Sequence, residues 1–144
     1  MSGLEYKLYV TSAGLSLALA IPAVAPALAQ SSKDWVEIND PTELRALFAN
    51  TTFKGRNQHG DPFTAYNHAD GTRQVVMTQA DFMQYWRING GEVCTQTRSR
   101  LIPEFCYTYS KHATRKGEYQ DRRVKDGAVS GFALTPGTKG ARKY

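Results

Sequence analysis

The stretch Phe82-Met83-Gln84-Tyr85-Trp86-Arg87-Ile88-Asn89-Gly90-Gly91-Glu92-Val93-Cys94-Thr95-Gln96-Thr97 decides the fold. On both sides of Asn89-Gly90-Gly91 lie short runs rich in β-branched and aromatic residues. Asn-Gly tolerates the positive φ angles that a tight hairpin loop demands. A period of two flanking such a turn reads as a β-hairpin. Either two-residue register around Asn89-Gly90 groups Phe82, Trp86, Ile88 and Val93 on one face, because side chains alternate along a strand.

Working toward the C-terminus, Cys94 and Cys106 are the chain's two cysteines. If they face each other across the next hairpin, Val93 faces Tyr107 and Thr95 faces Phe105. Phe105, Tyr107 and Tyr109 then join the Val93 face, while Cys106, Thr108 and Ser110 point away. A turn at Asp126-Gly127 sets Tyr119 opposite Leu134 and Asp121 opposite Phe132. Toward the N-terminus, a two-residue loop at Asp70-Gly71 pairs His68 with Arg73 and Tyr66 with Val75. That register places Tyr66, His68, Val75 and Met77 on one face.

Strands are expected near 52–57, 62–68, 73–79, 82–88, 92–98, 104–110, 118–124 and 128–135. Short strands joined by tight turns make an all-β antiparallel meander. Closing into an up-and-down barrel of about eight strands removes its exposed edges; an open sandwich is the alternative.

Before the strands, one short helix is expected after a polar lead-in, residues 30–39. Asp40 suits the N-cap, Pro41 the first helical position, and Glu43 the capping-box carboxylate. Leu44, Leu47 and Phe48 fall on one side, and Asn50 suits a left-handed ending.

Residues 1–29 read as a cleavable signal peptide. Lys7 precedes an apolar run from Ala13 to Val24, and Ala27-Leu28-Ala29 has the small-x-small pattern of a cleavage site. The run is shorter than the roughly 20 residues a membrane span needs, and Pro22 and Pro26 interrupt it. Removing this segment leaves the net charge at +5, because Lys7 and Glu5 cancel. Residues 30–137 then form a single domain, and 138–144 a basic tail expected to be disordered. In an exported chain, Cys94 and Cys106 are most simply a disulfide.

Three groups of residues invite a functional reading. The inner face is rich in tyrosine and carries polar members: Tyr66, His68, Trp86, Tyr107, Tyr109, Tyr119, Asp121 and Arg123. Asp121 and Arg123 lie two apart on one strand and can pair. Aromatic walls with a few polar anchors are the usual build of a ligand site, and a small barrel has room for one ligand. A packed core whose polar tips reach the mouth is the alternative.

Basic residues form the second group: Arg98, Arg100, Lys111, Arg115 and Lys116, with Arg122 and Lys125. Such a surface attracts anions. It lacks interleaved aromatics, which disfavours nucleic acid. Third, His59, His68 and His112 stand too far apart for a metal cage, and no cofactor motif is present. No nucleophile motif or carboxylate pair supports an enzyme.

The segments Ala49-Asn50-Thr51-Thr52-Phe53-Lys54-Gly55 and Phe63-Thr64-Ala65-Tyr66-Asn67-His68-Ala69-Asp70-Gly71-Thr72 resemble a group of small exported bacterial proteins of unknown function. Trp86, Val93-Cys94, Cys106-Tyr107 and Leu134-Thr135-Pro136-Gly137 fit the same pattern. Met77 to Gln84 departs from it, because that stretch is usually richer in glycine. The resemblance implies a lipocalin-like barrel, one disulfide and a periplasmic or secreted location, and it carries over no catalytic residue. The expected function is non-catalytic binding of a small or anionic ligand. The alternative is a protein-interaction module, such as an inhibitor of an extracellular hydrolase, acting through Trp35 or the Arg98–Pro103 loop.

Overall fold

Strand β1 (Trp35–Ile38) leads into helix α1 (Pro41–Phe48), and eight further strands follow in the structure, a computed structural model that describes residues 33–141. The expected signal segment, 1–29, lies outside the described residues. The later strands are β2 (Thr51–Arg56), β3 (Pro62–Asn67), β4 (Thr72–Met77), β5 (Asp81–Asn89), β6 (Glu92–Thr97), β7 (Phe105–His112), β8 (Glu118–Arg123) and β9 (Val129–Pro136). Each pairs antiparallel with its sequence neighbour. β9 pairs β2 and β8 pairs β7, so β2 to β9 close into an eight-stranded up-and-down barrel. Every expected strand is present within about two residues of its predicted bounds. β1 is the strand that sequence reading took for a lead-in; it extends the β6 edge of β7, pairing Trp35 with His112 and Ile38 with Tyr109.

Helix α1 forms as its sequence indicates. The Asp40 carboxylate accepts from the Thr42 N–H at 2.9 Å, Pro41 opens the first turn, and Asn50 takes a φ of 57° after the last. The Thr51 hydroxyl donates to the carbonyls of Leu47 and Phe48, which the helix end leaves open. Glu43 does not close a capping box; its carboxylate binds the Lys111 ammonium on β7 instead. Leu44, Leu47 and Phe48 are buried. The Phe48 ring meets Phe53 on β2, Trp86 on β5 and Tyr109 on β7. Contact with strands all round the wall means that the helix plugs one end of the barrel.

Alternation sorts the side chains between lumen and outside. Inward lie Phe53, Ala65, Val75, Trp86, Val93, Tyr109 and Phe132, all buried. At the Asp70-Gly71 hairpin the register corrects the expected one. Asn67 pairs with Arg73, Ala65 with Val75 and Tyr66 with Gln74. The loop is wider than two residues, because the His68 N–H bonds the Thr72 carbonyl and the Asp70 carboxylate accepts from the Thr72 N–H and hydroxyl. Tyr66 therefore faces outward, with its ring beside Gly140, and His68 sits in the turn rather than on the inner face. At Asp126-Gly127 the register slips by two, so Tyr119 pairs with Phe132 and Asp121 with Ser130; an even slip preserves the faces. Of the tail, residues 138–141 make a turn closed by the Ala141 N–H and the Thr138 carbonyl, and 142–144 lie outside the described residues.

Cys94 and Cys106 pair across β6 and β7 and are bonded, 12 residues apart in sequence. Replacing both by alanine is expected to lower stability by about 3 kcal/mol, the entropy of a short closed loop. Urea unfolding checks this. A midpoint unchanged from the parent would show that the bridge adds no net constraint on the unfolded chain.

Candidate functional site

The plug closes one end of the barrel, and the loops at the other end surround an opening. β2 leaves the helix end and runs away from it, so loops 57–61, 78–80, 98–104 and 124–128 share the far end. Beneath them is a cavity of about 290 Å³. That is near the lower limit for small-molecule sites. Its two sides differ. Phe63, Val75, Met77 and Phe82, from β3, β4 and β5, make an apolar wall. Tyr107, Tyr109, Asp121, Arg123 and Ser130, from β7, β8 and β9, make a polar one. Asn57, Gln58 and His59 form part of the rim.

Two opposite charges are buried in this space. Arg73 is 8% exposed and Asp121 is 8% exposed. The ion pairs of the described residues join Arg87 to Glu104, Lys111 to Glu43, Arg115 to Glu118 and Arg123 to Asp126, and none includes Arg73 or Asp121. The Arg73 guanidinium stacks over Phe48 at 5.6 Å and Phe53 at 5.7 Å, at the plugged end. Its Nε is buried without a hydrogen-bond partner. Unsatisfied buried donors are rare and costly, and they invite explanation.

No family model, no curated protein and no solved structure matches the chain.

Burial raises the Asp121 carboxyl to about 6, while Arg73, the backbone and hydroxyl of Ser130, and Arg123 pull it down less strongly. Burial likewise holds the Tyr109 phenol well above its ordinary range, and the Tyr107 phenol above it; nearby Asp121 adds to both. Both tyrosines thus stay neutral and keep a hydroxyl to donate. Arg123 does not pair with Asp121, contrary to the sequence expectation. Its guanidinium is bound by Asp126, reaches Gln58 at 3.4 Å and lies over Phe105 at 5.0 Å. It ties the 124–128 loop to the 57–61 loop across the rim.

A carboxyl whose folded pKa is raised favours the folded state in its protonated form. That contribution is complete below the unfolded value, about 3.9, and is lost as pH rises through about 6. Asp121→Asn imitates the protonated form at every pH. The variant is expected to match the parent at pH 4 and to exceed it by about 2–3 kcal/mol at pH 7.5. Urea unfolding of both proteins at the two pH values checks the difference; a gap that does not widen with pH would overturn it.

The expected inner-face residues divide in three. Tyr107, Tyr109, Asp121 and Arg123 line the cavity together. Trp86 and Tyr119 face the lumen but serve as packing: Trp86 bonds the carbonyls of His68 and Thr72 through Nε1, and Tyr119 stacks on Phe132. Tyr66 and His68 are not in the lumen. Sequence reading missed Arg73, although strand alternation with Val75 and Met77 was the signal for it. The basic group does not form one surface. Arg98 and Arg100 lie at the open end, whereas Lys111, Arg115 and Lys116 lie at the plugged end, where Glu43 and Glu118 pair the first two.

Proposed function

We propose that this chain is an exported barrel protein that binds a small ligand in its lumen without transforming it. The observation that carries this reading is the cavity of about 290 Å³, open at one end and lined by apolar residues on one side and polar residues on the other. Export is supported by the signal-like segment, by the disulfide, and by the finding that no described helix is long and apolar enough to cross a membrane. Native mass spectrometry of the mature protein, purified from its own envelope, tests the reading against the denatured mass. A reproducible extra mass, lost in a folded Tyr107→Ala variant, is expected. A bare mass, with no cavity resonance moving in a fragment screen by NMR, would overturn it.

A second reading, an interaction module such as an inhibitor of an extracellular hydrolase, is favoured by one observation. Leu101, in the loop closed by the disulfide, is 88% exposed, with Ile102 and Val124 half-exposed nearby. Capture of an envelope protein that is lost on Leu101→Ser, with the lumen empty, would favour this reading over the first.

A further inference from the structure

We infer that the ligand class of the lumen is a small monocarboxylic acid with an apolar or aromatic body, its carboxylate received by Arg73 and its body laid against Phe63, Val75, Met77 and Phe82. This rests on the reading of the lumen as a ligand site and gives that site its chemistry.

The argument starts from the arginine. A guanidinium presents planar donors that match a carboxylate, and it binds one more strongly than a neutral acceptor. Arg73 is 8% exposed and lines the cavity; its guanidinium bonds the Tyr109 hydroxyl, yet its Nε has no partner and, among the described residues, no carboxylate lies within ion-pair distance of it. Its guanidinium carbon lies over the rings of Phe48 and Phe53, and these cation–π contacts help to hold it in place. A cationic ligand is disfavoured by this charge. A phosphate dianion is disfavoured by Asp121, which shares the space and repels a second negative charge. A monoanion is the charge that one arginine balances. The apolar wall opposite Tyr107 and Tyr109 asks for a body without polar groups on that side.

Asp121 adds a proton to the event. The groups that face it are Arg73 on β4, Tyr107 and Tyr109 on β7, Arg123 on β8 and Ser130 on β9, and His59 of the 57–61 loop lines the same cavity at its rim. With an anion on Arg73, an ionised Asp121 would leave the lumen with surplus negative charge. The carboxyl therefore takes one proton from solvent as the acid enters, which its raised proton affinity permits. Affinity then falls as pH rises above about 6, by tenfold per unit, or roughly 50-fold between pH 6 and pH 8.

The test is titration of the disulfide-bonded protein with benzoate, benzamide and benzylamine, followed by NMR and calorimetry at pH 6 and pH 8. Benzoate is expected to bind at least about 10-fold more tightly than the other two, a difference of about 1.4 kcal/mol. It should shift the resonances of Tyr107 and Tyr109 and weaken as pH rises. Arg73→Met, which keeps an unbranched apolar chain but no charge, should abolish the preference for benzoate. Arg73→Lys should restore part of it, which separates a lost charge from a damaged core. Asp121→Asn should bind benzoate with no pH dependence. Benzamide or benzylamine binding in the cavity as well as benzoate would overturn the acid class while leaving the lumen a ligand site. None of the three moving a cavity resonance would overturn the acid class too, and extra native mass on the envelope-purified protein would then still support a ligand of other chemistry.

Discussion

Phe48→Ala is expected to lower the stability of the domain by about 3–5 kcal/mol, the range for removing a fully buried aromatic ring. The residue is 0% exposed. Its ring lies 5.0 Å from Phe53, 5.1 Å from Tyr109 and 5.3 Å from Trp86, and supports the Arg73 guanidinium at 5.6 Å. No neighbour can collapse into the space, because each is anchored in a different strand of a closed wall. The helix has only eight residues and cannot persist alone, so it is held by this burial. A loss of that size is a large share of the total stability of a small domain, about 5–15 kcal/mol. Urea unfolding followed by far-ultraviolet circular dichroism measures it. Leu101→Ala, at an 88% exposed position, is the control and should shift stability by less than about 0.5 kcal/mol. A Phe48→Ala loss below about 1 kcal/mol would mean that the helix is not the plug of the barrel.

Gly55→Ala is expected to be as damaging, through backbone rather than core. Gly55 pairs with Phe63 on one side and Phe132 on the other, at the β2–β9 seam that closes the barrel. A Cβ there would stand 1.9 Å from the Gly131 carbonyl oxygen, 2.7 Å from the Phe132 Cα and 2.8 Å from its Cβ. Those atoms belong to the partner strand and cannot turn aside as a side-chain tip would. Either the seam opens or β9 shifts against β8. The expected loss is about 3 kcal/mol or more, at the upper end of overpacking costs. Gly131→Ala, at the residue whose own carbonyl makes that clash, adds a Cβ that meets nothing within 4 Å and should be tolerated. Soluble yield and urea midpoint of the two variants decide it, and equal midpoints would show that the seam has room that the register denies.

Much of this architecture is legible in the order of residues. Strand β5, the Gly90-Gly91 turn and strand β6 follow from alternation, and so does the facing of Val93 with Tyr107 and of Cys94 with Cys106. Helix α1 follows from Asp40, Pro41 and the spacing of Leu44, Leu47 and Phe48. Strand β1 escaped, because Val36 and Glu37 are exposed and only Ile38 is fully buried, which leaves almost no pattern in four residues. The Asp70-Gly71 register escaped for a different reason. Ala65 and Asn67 face the lumen, and neither is a large apolar residue, so nothing in the sequence ranked them above Tyr66 and His68. What holds the wider loop is partly remote: the Trp86 indole donates to the carbonyls of His68 and Thr72 from another strand.

The cavity shows the same division. The tyrosines and Asp121 could be placed on the inner face from alternation in β7 and β8, which is a local property of each strand. Arg73 became visible as their neighbour only once β4 was set in its register and the barrel was closed around it. Arg123 pairs with Asp126, three residues on, rather than with Asp121, two residues back, because the turn closed by the Gly127 N–H and the Arg123 carbonyl folds the Asp126 carboxylate onto the guanidinium. The sequence by itself determined an all-β chain with a capped helix, two cysteines placed to bridge adjacent strands, and the inward face of most strands, because period and turn chemistry act between near neighbours. The tertiary structure alone decided that Phe48 plugs one end, that the other end stays open, and that a buried arginine and a buried carboxyl share the space without touching. Those facts depend on distances between strands far apart in the chain, which only closure of the barrel sets.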